Sequence, residues 1–152
     1  MHAADGQAID FDVATPFLYQ LLATPDDVDA QGHVNNAVYL QWMDAAAFAH
    51  SKALGYDWAA YRALGASFVV RRHEVDYLAS VLAHQQLVVA TWPCRMHRFT
   101  AWRRHQIIRL DDGQTVVRAA TKWVFLDLNT GRPRRMPDKL IAAFRPRTQP
   151  ET

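Results

Sequence analysis

The chain has 152 residues, a length that a single hydrophobic core organises, so one domain is expected. Half of the residues are hydrophobic (50%) and about a fifth are charged (21%), which excludes disorder, collagen and coiled coil. Formal net charge is only +2 and Cys94 is the single cysteine, which excludes a disulfide framework and a cysteine-based zinc cage.

The amino-terminal run MHAADGQAIDFD shows no basic segment followed by an apolar stretch, so no secretory signal is expected. No stretch approaches the ~18 apolar residues of a membrane span, and a cytoplasmic protein is the expectation. Residues 1–15 and 146–152 carry little periodic apolar content and are expected to be flexible tails flanking one domain, 16–145. Pro16–Thr24 reads as a first strand ended by Pro25-Asp26-Asp27. A polar loop, 28–36, follows and ends on two asparagines, good N-caps for an unbroken helical run from Ala37 to Leu54. Gly55 is its natural stop.

Within that helix Val38, Trp42, Ala45, Ala46, Ala49 and Ala53 share one stripe, with Tyr39, Met43 and His50 beside it and Gln41 and Asp44 opposite. The pattern predicts a nearly buried helix. A short helical or turn region follows around Asp57–Leu64. Period-two alternation then predicts strands at 67–77, 86–92, 100–110 and 114–126, with Asp111-Asp112-Gly113 as a hairpin turn. Pro133 and Pro137 close the sheet, and 138–144 reads as a short terminal helix. Strand, long helix and four strands make an α+β domain with an antiparallel sheet.

Several catalytic signatures are missing: a Gly-x-Ser-x-Gly elbow, a phosphate-binding Gly loop and a His-x-x-x-His pair. No metal is therefore expected. Cys94 beside Pro93 in an apolar strand reads as a packed thiol. Fourteen arginines against three lysines suit an anionic ligand, because the guanidinium fork matches phosphate and carboxylate. The Arg- and aromatic-rich segment 95–105 would suit single-stranded nucleic acid, but the nearly balanced charge and the lack of a binding motif argue against it. One dense polar segment remains: Asp29, Gln31, Gly32, His33, Asn35 and Asn36, placed just before a helix start. Unpartnered N–H groups at a helix start suit an oxyanion, and a nearby carboxylate supplies a nucleophile or activates water. On spacing alone, capping of the loop and helix explains these residues equally well.

Asp29-Ala-Gln-Gly-His-Val-Asn-Asn-Ala-Val-Tyr39 resembles the signature of hotdog-fold acyl-CoA thioesterases of the 4-hydroxybenzoyl-CoA thioesterase family. The likeness extends to Val75-Asp-Tyr-Leu78, to Thr130-Gly-Arg-Pro133 and to the order of elements. It implies a hotdog fold, a curved antiparallel five-stranded sheet wrapped around the helix from Ala37 to Leu54. It also implies a homodimer or a dimer of dimers, with active sites at the dimer interface. By the resemblance Asp29 falls on the catalytic carboxylate, and Asn36 where a helix-terminal N–H polarises the thioester carbonyl. One branch of the family carries a His at that position, so Asn36 argues against a mechanism that needs the imidazole. His33 either orients Asp29 and its loop or is a structural histidine. Asp44 matches the helix position of the catalytic acid in another branch; its structural alternative is to hold a partner subunit.

The substrate implied is an acyl-CoA, with CoA part of the substrate and no other cofactor. Arg71, Arg72, Arg95, Arg98, Arg132 and Arg134 are candidates for its phosphates, and Asn35, Tyr39, Trp42 and Phe68 for the acyl and thioester end. No nucleic-acid or membrane partner is expected. A hotdog dehydratase is disfavoured by the Asp-x-x-Gly-His-Val-Asn-Asn form. An acyl-carrier-protein thioesterase and a noncatalytic acyl-CoA-binding protein are the alternatives.

Overall fold

The computed structural model describes residues 1–146, so the expected carboxy-terminal tail lies outside the described residues apart from Pro146. The elements in order are β1 (Phe17–Leu22), a 3-10 turn (Pro25–Asp27), α1 (Asn36–Ala53), α2 (Trp58–Leu64), β2 (Ala66–Tyr77), β3 (Gln86–His97), β4 (Thr100–Arg109), β5 (Thr115–Asp127) and α3 (Asp138–Phe144). The five strands form one antiparallel sheet in the order β1-β3-β4-β5-β2. β1 pairs with β3 from Phe17 opposite Thr91 to Leu22 opposite Gln86. This is the hotdog arrangement of one long helix and a five-stranded sheet.

β3 runs five residues past the apolar run that predicts it, through Pro93 and Cys94 to His97. The β1 ladder ends opposite Thr91, so Pro93 lies beyond it, where its missing N–H removes no bond to β1. Local chemistry sets α2. Asp57 accepts the Ala60 N–H at 2.9 Å as its N-cap, and Gly65 ends it at φ +70°, a left-handed conformation that glycine adopts freely.

The chain groups into two compact units, and α1 and strands β2 to β5 each contribute to both. The first unit comprises 1–47, 75–91 and 105–119. Its core joins Tyr39, Met43 and Ala46 of α1 to Leu87 and Val89 of β3, Ile107 of β4 and Val116, Val117 and Ala119 of β5. The second comprises 48–74, 92–104 and 120 onward, with a core of Tyr61, Phe125, Met136, Leu140 and Phe144 flanked by Phe68 and Trp123.

Two expectations differ from what is found. The buried face of α1 runs through Tyr39, Met43, Ala46, Ala47 and Ser51, while Val38, Trp42, Ala45 and Ala49 are half-buried and Ala53 is exposed. Asn36, Ala37, Gln41, Asp44 and Lys52 are exposed as well, so α1 is not nearly buried in the single chain. Alanines along most of the helix blur its period, and the large Tyr39 and Met43 decide which face turns inward. The second concerns residues 1–15. Ala3 and Ile9 are buried against Val88 and Ile108, with Phe11 packed alongside. The Ala4 N–H donates to Leu110 O at 2.8 Å, Asp12 N–H donates to Gln106 Oε1 at 2.9 Å, and Arg118 grips Asp12 with two nitrogens. An irregular path covers the sheet with few apolar residues and has no period to betray it.

Candidate active site

The loop before α1 is built by short backbone ties. Val28 bridges Val34, the Asp29 N–H donates to His33 O at 2.9 Å, and Gly32 N–H donates to Asp29 O at 3.0 Å. Gly32 sits at φ +83°, which this reversal requires and a larger residue resists. Buried Val34 anchors the loop in the core, with its N–H on Val81 O at 2.8 Å. Its polar neighbours Asp29, Gln31, His33, Asn35 and Asn36 are all exposed. Asp29 Oδ1 accepts the Gln31 N–H at 2.9 Å, while Oδ2 has no hydrogen-bond partner among the described residues. His33 touches Asp29 through its backbone carbonyl, and its ring has no hydrogen-bond partner among the described residues.

Asn35 is the N-cap of α1. Its Oδ1 accepts the Ala37 N–H at 2.9 Å and its carbonyl accepts the Val38 N–H at 2.9 Å. Neither bond uses the N–H of Asn36, the first helical residue. It belongs to the group of donors that an α-helix leaves unpaired at its positive end. The Asn36 carbonyl is held from outside the helix, by Tyr77 Oη at 2.9 Å. Tyr77 meets Tyr39 edge-on at 5.5 Å between centroids, and Tyr39 meets Trp42 at 5.1 Å. Burial pushes the Tyr39 phenol up and Tyr77 adds to this. Asp29 and His33 thus lie in the loop that leads into α1, Asn35, Asn36 and Tyr39 at its start, and Trp42 a turn beyond Tyr39.

Asp44 stands apart. It is exposed on α1, about 12 Å of helix rise beyond Asn36. The two positions of one chain are thus about two helical turns apart.

The other expected ligand residues belong to the second unit. Phe68 packs among rings, 5.0 Å from Phe125 and 6.0 Å from Tyr61, as a member of that core. All six candidate arginines are exposed. Arg72 pairs with Glu74 at 3.0 Å, and Arg134 donates to Leu64 O at 2.8 Å and lies 3.7 Å from Asp127. Arg71 lies on β2 beside Arg72, and Arg132 sits in the turn after β5, where its carbonyl accepts the Asp127 N–H at 2.9 Å. Arg95 and Arg98 take φ of +37° and +54° near the β3–β4 turn, and Arg98 O accepts the Met136 N–H at 2.7 Å.

Sequence reasoning passed over two features. Tyr77 was part of the matched Val75–Leu78 stretch, but nothing in the sequence ties its hydroxyl to a carbonyl 41 residues away. The second is a guanidinium–imidazole pair in the other unit. Arg103 is 5% exposed, its Nη1 lies 3.1 Å from His50 Nδ1, and its guanidinium lies 6.0 Å from the Phe144 centroid. Since the guanidinium donates, His50 accepts and is neutral. Burial, then the Arg103 charge, pushes His50 down to about 4, and burial takes Arg103 down to about 10. Cys94 is buried as expected, and burial pushes its thiol up.

Residues 23–144 match the family model of the thioesterase-like superfamily. No curated protein matches the chain at the sequence level. Among solved structures the chain is similar to Slr0204, a 1,4-dihydroxy-2-naphthoyl-CoA thioesterase from Synechocystis, with 18% identity and TM-score 0.78, covering 86% of this chain and 96% of that one. It is similar also to SAV2348 from Staphylococcus aureus in complex with CoA, at 11% identity and TM-score 0.79, covering 88% and 84%. An acyl-ACP thioesterase from Bacteroides thetaiotaomicron matches at 24% identity and TM-score 0.72, over 78% of this chain and 49% of its own. At these identities the structures establish the shared fold, and the family model, spanning most of the sequence, establishes the kinship. The chain belongs to the thioesterase-like superfamily, the hotdog-fold thioester hydrolases.

Proposed function

We propose that this protein hydrolyses acyl-CoA thioesters to a free acid and CoA, with Asp29 as the catalytic carboxylate. The observation that carries the reading is the loop itself. An exposed carboxylate with one oxygen unengaged among the described residues sits in a loop closed by its own backbone bonds, immediately before an 18-residue helix. The acyl carbonyl would rest against the Asn36 N–H, where the helix terminus stabilises the charge that develops on oxygen. Asp29 then either attacks the acyl carbon or draws a proton from a water that does. In either course the C–S bond breaks, water supplies the acid's oxygen and the thiol leaves with a proton. Asn35 holds the helix start, and Tyr39 and Trp42 flank it. The His33 carbonyl closes the loop by accepting the Asp29 N–H.

CoA enters as part of the substrate, and no other cofactor or metal takes part. Its 3′-phosphate and pyrophosphate are suitable ligands for Arg71, Arg72, Arg95, Arg98, Arg132 and Arg134. We place the protein in the cytoplasm as a homodimer or dimer of dimers, without a nucleic-acid or membrane partner. No helix among the described residues is long and apolar enough to cross a membrane. The likeness to an acyl-ACP thioesterase supports a carrier-protein substrate as the second reading.

The test is thiol release from short, medium, long-chain and aromatic acyl-CoAs, with Asp29→Asn and Asp44→Asn in parallel. Release that is lost in Asp29→Asn and kept in Asp44→Asn supports the assignment. The reverse pattern overturns it, and silence on every acyl-CoA moves the substrate to a carrier protein or leaves a ligand-binding protein.

A further inference from the structure

We infer that Tyr77 is a positioning residue for the reaction: its hydroxyl holds the first residue of α1 so that the Asn36 N–H points at the thioester oxygen. The inference rests on the reading above, and its evidence is independent of Asp29. Tyr77 ends β2, far from the loop in sequence, and its Oη donates to Asn36 O at 2.9 Å. Within an α-helix the Asn36 carbonyl also faces the N–H four residues on, so a second donor is not needed to satisfy it. Tyr77 is 44% exposed, so water could serve its hydroxyl as well and the net gain in stability is small. What the bond does provide is location.

First turns of helices fray, and a donor that wanders stabilises an oxyanion poorly. Residue 36 is held at two successive carbonyls. That of Asn35 accepts from Val38 within the helix, and that of Asn36 accepts from Tyr77 outside it. Tyr77 can act as a fixed post because its ring is braced edge-on against Tyr39, which is 2% exposed and set in the core, and Tyr39 is braced in turn against Trp42. The chain of contacts runs from the hydrophobic core to the first helical residue through three rings and one hydroxyl. All of them lie in the first unit.

The experiment compares Tyr77→Phe and Tyr77→Leu with wild type in the full-length protein, using the acyl-CoA that wild type turns over fastest. Tyr77→Phe keeps the braced ring and removes only the hydroxyl. Its kcat is expected to fall about tenfold with KM within about twofold, because the loss is of transition-state alignment and not of ligand contact. Exchange of the Val38 amide proton, which the first turn holds on Asn35 O, is expected to quicken several-fold in the same variant, as followed by NMR, while amides in the middle of α1 keep their rates. A wild-type kcat in Tyr77→Phe overturns the inference and leaves the thioesterase reading intact. So does a loss seen only in Tyr77→Leu, which would assign the effect to the ring, or a change confined to KM. A wild type that releases no thiol from any acyl-CoA defeats the functional reading, and the role of Tyr77 in it falls too.

Discussion

The unit that carries the Asp29 loop packs Val, Leu, Ile, Ala and Met around Tyr39 and leaves the polar residues of that loop exposed. The unit that carries α2 and α3 is built on rings. It packs Tyr61, Phe68, Trp123, Phe125 and Phe144 together, buries Arg103 and Ser51, and half-buries His50. Ser51 Oγ lies 2.6 Å from Tyr61 Oη and donates to Tyr56 O at 2.7 Å. Buried polar groups must be satisfied where they stand, so they serve the fold and are costly to disturb. Exposed polar groups on a tied loop cost little to change and remain available for chemistry. The difference teaches where to look: an exposed polar residue of the Asp29 loop is tested by turnover, and a buried one such as Arg103, Ser51 or Gln106 by stability.

The largest effect expected tests that division directly. Asp29→Asn keeps the shape of an exposed loop residue, so turnover should fall roughly 10²–10⁴-fold while Tm moves little, as read by thiol release and thermal unfolding. Next comes the aromatic core. Phe125, fully buried, should lose about 3–5 kcal/mol of stability on change to Ala, measured by denaturant unfolding, with kcat of the folded protein retained.

The His50–Arg103 pair predicts an acid-sensitive window. His50 is held near 4 when folded, below its ordinary 6.5, so between these values the unfolded chain binds a proton that the folded one refuses. Its contribution is complete above pH 6.5 and is lost as pH falls toward 4. His50→Gln should flatten this part of the Tm profile by on the order of a few degrees. A profile identical to wild type would mean that the pair is not what senses acid. The smallest effect is the cap: Asn35→Ala should cost about 1 kcal/mol in thermal unfolding, and its loss of kcat should exceed that of a cap-neutral surface change.

Elements with one strong local signal were legible in sequence. α2 follows from Asp57 and Gly65, α3 was placed at its observed bounds, and Gly113 marks the β4–β5 turn. The polar segment from Asp29 to Asn36 was legible as well, because so many hydrogen-bonding residues before a helix are out of place in anything but a cap or a site. The buried face of α1 was not. Alanines satisfy several helical stripes at once, and only packing chooses among them. Residues 1–15 gave no period to read although they deliver Ala3 and Ile9 to a core. Phe68 illustrates the same limit, since a large ring on a strand serves a core or a pocket equally well in sequence.

By itself, then, the sequence determined which elements form, in what order, and which short segment gathers hydrogen-bonding residues before the long helix. Those depend on residues within a turn or two of one another. The tertiary structure alone decided that Tyr77 meets Asn36, that Arg103 lies on His50 and that Gln106 ties down Asp10 and Asp12. Each joins residues at least 41 positions apart. Such contacts follow from strand order and register, which the sum of many weak packing terms selects and no local pattern records.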